Sequence, residues 1–174
     1  MNVPGHHRLL PVSLLVFTAV SALAAGTARA GDPELTHHTL KTEHFNIHYS
    51  RELEDIAFRT AAVAEEVHGF LCDQLGWKVE GPTEVSIVDS EDSANGLASP
   101  APYPYILMYA GLPDMNSSLQ FHDDWLYALF IHEYTHIIHL QMQHGAARVV
   151  NRIFGDVYLP NALQPRWFVE GLAV

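Results

Sequence analysis

In Phe130-Ile131-His132-Glu133-Tyr134-Thr135-His136 two histidines stand four positions apart, with a glutamate directly after the first. On a helix that spacing is close to one turn, so both imidazoles fall on one face about 6 Å apart along the axis. Each can bring a ring nitrogen to about 2.1 Å from a shared ion. Glu133 is rotated by about 100° from His132. It therefore points away from the ion at short range but can reach a water on the open side, where a general base is needed. A further acid, Glu170, follows 34 positions after His136, within Trp167-Phe168-Val169-Glu170-Gly171-Leu172-Ala173. Two imidazoles and one carboxylate leave a fourth position open, which is the sequence outline of a catalytic site for one Zn2+ ion.

His139 is seven residues after His132 and lies on nearly the same face, but its backbone is about 10 Å further along the axis. One ion cannot gather His132, His136 and His139 from a single rigid helix, so His139 is expected to support the ligands or to lie at the surface. In the longer H-E-x-x-H-x-x-G-x-x-H pattern the glycine position is His139 and the third histidine position is Met142, which excludes the metzincin arrangement.

Other elements must bring these groups together. Asp123 and Asp124 suit the first turn of a helix, and apolar residues on almost every side of His132 and His136 predict a largely buried helix from about Trp125 to His144, closed by Gly145. A short helix over Ala146 to Phe154 stops at Gly155. Pro165 can open another at its first position, and Glu170 falls inside it. Upstream, Phe45, Ile47 and Tyr49 alternate with polar residues and predict a strand. Glu54 to Leu75 carries Ile56, Val63, Val67, Phe70, Leu71 and Leu75 at helical spacing, with Gly76 as its C-cap. Val85 to Val88 and Tyr105 to Tyr109 read as two further strands, separated by a polar loop from Asp89 to Pro102. The predicted fold class is α+β, with a small mixed sheet packed on the long helix.

The first 30 residues are set apart. A weakly basic start, an apolar run from Leu9 to Ala25 and Ala28-Arg29-Ala30 match a cleavable signal peptide. That places residues 31–174 outside the cytoplasm, secreted or periplasmic, as one domain. The leader removes Arg8 and Arg29, so the remainder has seven basic against 20 acidic residues, a formal charge of −13. This balance argues against nucleic acid or an anionic membrane as partner. The single cysteine, Cys72, forms no internal disulfide.

His132-Glu133-Tyr134-Thr135-His136 together with the Trp167 to Ala173 segment resembles the gluzincin zinc metallopeptidases. More narrowly, it is similar to the peptidase-MA-like domain of secreted bacterial proteins. The likeness extends over Thr42 to Tyr49 and the Asn95-Gly96-Leu97-Ala98 loop. It implies a thermolysin-like N-terminal lobe, incomplete before a C-terminal helical lobe. It also implies zinc on His132, His136 and Glu170, with Glu133 as base and proton shuttle acting on a peptide or protein substrate. The Tyr105–Tyr109 strand is implied to be the sheet edge along the cleft. Members often continue into further domains, including Tol-type β-propeller repeats. Two departures bear on specificity. Val174 stands where thermolysin-type enzymes carry an aspartate, and the Gly-x-Met-Glu-Asn segment that holds a free amine in aminopeptidases is absent. An endopeptidase is therefore expected, with the group that stabilises the oxyanion falling past Val174. The competing reading is a non-catalytic extracellular zinc-binding or protein-interaction module, against which the intact Glu133 speaks.

Overall fold

The computed structural model describes residues 36–113, 117–155 and 158–173. The leader assigned to residues 1–30 lies outside them. Five strands form one mixed sheet: β1 (His37–Lys41), β2 (Phe45–Ser50), β3 (Thr83–Val88), β4 (Asn95–Ser99) and β5 (Tyr105–Tyr109). Four helices accompany it: α1 (Glu54–Leu75), α2 (Trp125–Gln141), α3 (Ala146–Phe154) and α4 (Arg166–Leu172). The strand order is β1-β2-β3-β5-β4. The three central strands run parallel, and β1 and β4 pair antiparallel at the two edges. This is the expected α+β class.

The central strands explain themselves by alternation. Phe45, Ile47 and Tyr49 of β2, Thr83, Val85 and Ile87 of β3, and Ile106 and Met108 of β5 all point to one buried face. The opposite face carries Asn46, His48, Glu84 and Ser86. Parallel β2 and β3 need a long crossover, and α1 supplies it. Gly76 ends α1 in the left-handed conformation at φ 64°, its N–H donating to the Cys72 carbonyl at 3.0 Å, as the sequence predicts.

α1 buries Val67 and Leu71 of the predicted stripe and packs Ile56, Val63 and Leu75 at its margin, but alanines take the place expected of Phe70. Ala57, Ala61, Ala64, Val67 and Leu71 face inward, while Phe70 is exposed. Small side chains let the helix lie close to its neighbours, and Phe70 is turned away from that contact. α2 lies beside α1 and against the sheet. Phe130 and Tyr134 pack with Phe45 at ring-centre distances of 5.2–5.8 Å, in the tilted and offset geometries that aromatic quadrupoles favour. α2 begins at Trp125, where the Asp124 carboxylate accepts from the Tyr127 N–H at 3.2 Å, and it ends at Gln141 rather than His144.

Two strands correct the sequence reading. β1 and β4 are polar edge strands with no apolar alternation to reveal them. β4 occupies part of the predicted Asp89 to Pro102 loop, so the sheet edge beside α2 is β4. β5 is interior, between β3 and β4. No helix among the described residues is long and apolar enough to cross a membrane.

Candidate functional site

α2 and α4 meet around three side chains. His132 Nε2 and His136 Nε2 are 3.2 Å apart. One oxygen of Glu170, Oε2, is 3.6 Å from the first and 3.7 Å from the second. A point about 2.0 Å from all three atoms lies in their plane, matching the ligand distance of a small divalent ion. Among the described residues this is a group able to hold a metal, with its ligand atoms within 4.8 Å of one another.

The surroundings aim the ligands. The Ala173 carbonyl can only accept, so His132 Nδ1–H donates to it at 3.1 Å and the Nε2 lone pair is left facing inward. Arg166 Nε donates to the other Glu170 oxygen, Oε1, at 3.3 Å, leaving Oε2 toward the imidazoles. His136 Nδ1 is buried without a partner. Burial, and after it the charge of His132, holds His136 below the ordinary imidazole range. Neutral imidazole is the form that ligates.

Glu133 stands apart from this triad, as its rotation on α2 requires. It is only 7 % exposed. Burial, reinforced by the negative charge of Glu170, pushes its carboxyl up to about 7. Gly96 of β4 passes directly over it. A Cβ at that position would come within 2.7 Å of Glu133 Cγ and Oε1, closer than any real side chain tolerates. The strand edge and the buried carboxyl are thus fitted to each other. The resemblance covers Asn95–Ala98 as a loop without giving it a place at the site; the glycine is the signal that could have marked the close approach.

His139 is not a surface residue. It is 5 % exposed and packs edge-on to Phe168 of α4, 5.8 Å between ring centres. Asn161 donates to the His139 carbonyl at 2.7 Å. His139 therefore helps seat the α4 region that carries Glu170. A cavity of about 750 Å³ lies elsewhere, at the C-terminal end of α2, and none of the three candidate ligands lines it.

Comparison of the chain with protein-family models, curated proteins and solved structures finds no match. The chemistry of the site is therefore read from its own geometry.

Proposed function

We propose that this chain is a gluzincin-like, zinc-dependent peptide hydrolase of the endopeptidase type, secreted or periplasmic. The observation that carries the reading is the convergence of His132, His136 and Glu170 on one point while a second carboxyl, Glu133, stays buried beside it. Two nitrogens and one oxygen at these separations suit zinc and leave room for a further ligand. A bound ion of this kind supplies Lewis acidity, polarising a carbonyl and acidifying water.

The side chains do the rest. Glu133 takes a proton from the attacking water and returns it to the leaving amine. Its raised pKa suits a group that must both accept and give up a proton near neutrality. The edge strand β4 offers its unpaired side to an extended peptide backbone, in place of the interior β5. Gly96 keeps the scissile bond close to Glu133 because nothing projects between them.

The deciding experiment pairs a metal assay with peptide cleavage. Wild-type protein is expected to hold one zinc per chain and to cleave internal peptide bonds. Glu133→Gln is expected to retain the zinc and lose cleavage by at least about 100-fold. Zinc without cleavage in the wild type identifies a binding module. Cleavage retained in Glu133→Gln removes the general-base role.

A further inference from the structure

The cavity at the C-terminal end of α2 is lined by Lys78, Arg148, Arg152, Trp77 and Tyr103, with Glu80 as an acidic neighbour. The whole chain has only nine Lys and Arg against 20 Asp and Glu, so three of nine cations in one cavity is a local reversal of sign. Among the described residues, none of these three forms an ion pair within 4 Å; Arg59 and Arg166, by contrast, pair with Asp124 and Glu170.

The arrangement is held before any ligand arrives. Arg148 and Arg152 are four residues apart on α3 and share a face, where like charges repel unless an anion sits between them. The Arg148 guanidinium lies 5.3 Å from the Trp77 ring centre, so its position is fixed by the ring. Buried Asn151, between the two arginines in sequence, donates to Gln143 at 2.5 Å and to the Tyr158 carbonyl at 2.7 Å, tying α3 to the chain that follows α2.

The cavity also lies at the end of β4. Gln141 donates to the Pro100 carbonyl at 3.1 Å, just past the strand. Pro102, Tyr103 and Pro104 continue into the cavity wall. Pro100 is four positions after Gly96, which stands over Glu133, a span of about 13 Å in extended chain. We infer that this cavity binds an acidic side chain of an extended peptide lying along β4, about four residues from the bond held at Glu133. The position along the peptide rests on the peptidase reading; the binding of acidic peptide does not.

Binding is measured on the full chain carrying Glu133→Gln, by calorimetry and tryptophan fluorescence. The probes are an alanine-rich octapeptide with two central aspartates and its asparagine counterpart. The aspartate peptide is expected to bind roughly tenfold tighter, as charge-assisted hydrogen bonds to arginine imply, and to weaken as salt is raised. Arg148→Gln/Arg152→Gln is expected to abolish the preference. Arg152→Gln alone, which disturbs no ring contact, is expected to reduce it, so the test survives should the double variant fold poorly. Equal affinities for the two peptides overturn the inference. So does a preference that persists without the arginines, or binding of inorganic phosphate with none of the aspartate peptide. Hydrolysis is read separately on the wild type. Selective binding with no cleavage of any peptide fails the peptidase reading alone, and cleavage indifferent to acid near the fourth position overturns the placement of the peptide.

Discussion

Gly96 and Glu133 leave no room between them for even a methyl group. A methyl group at Gly96 cannot be absorbed by the far end of a flexible chain, because Cγ of Glu133 is among the atoms it meets. Gly96→Ala is expected to lower hydrolysis by at least about tenfold with zinc content unchanged, since only the base and the strand edge must move; cleavage assays and metal analysis on the same preparation check this. The raised pKa of Glu133 carries its own cost. Its folded value of about 7 exceeds the ordinary 4.5, so the folded state holds the proton more tightly and stability falls as pH rises across that interval. In metal-free protein Glu133→Gln is therefore expected to be more stable than wild type at pH 8, by roughly 1–3 kcal/mol. The gain should vanish by about pH 4, as denaturant titration at the two pH values will show.

At the scale of elements, α1 is held to the sheet and to α2 by a polar relay inside an apolar layer. Glu65 bonds both the backbone N–H and the ring of His44. The His44 ring stacks on His68 at 3.7 Å, and His68 Nδ1 bonds the Tyr134 hydroxyl at 2.7 Å. Burial, and then the charge of His44, keeps His68 below the usual imidazole range. Its folded pKa is thus lower than its unfolded one, so stability is whole above about pH 6.5 and declines as pH falls below it. His68→Gln is expected to flatten that decline between pH 7 and pH 5 while costing about 1 kcal/mol at pH 8 from poorer packing. The same layer shows what a sequence can and cannot tell. β2 was legible because it alternates in step with one buried face, and β3 and β5 because they are short apolar segments set off by Gly and Pro. β1 and β4 were not, because an exposed edge imposes no such pattern. On α1, helical spacing pointed to Phe70, yet Ala57, Ala61 and Ala64 join Val67 and Leu71 in the contact and Phe70 is exposed. At the site, the spacing of His132, Glu133 and His136 on a helix foretold their mutual geometry. The partnership of Gly96 with Glu133 depends on strands folding back across the sheet, which no local pattern encodes.

At the scale of the whole molecule, the candidate ligands join α2 to α4, the last helix among the described residues. An ion bound by α2 and α4 together binds only the folded state. Zinc at about 100 times its dissociation constant should then stabilise the protein by about 2.7 kcal/mol, a rise of roughly 5–10 °C in melting temperature for a domain of this size. Glu170→Gln should lose most of that rise, which calorimetry with and without a chelator will reveal. The two helices are anchored very differently. α2 buries ten residues, whereas α4 buries none and is held through Glu170, the Ala173 carbonyl and the edge-on contact of Phe168 with His139. Release of the ion therefore does not have to wait for the core to open. For an ion held there, one seven-residue segment letting go would be enough, so a stripped protein should be rechargeable without being refolded.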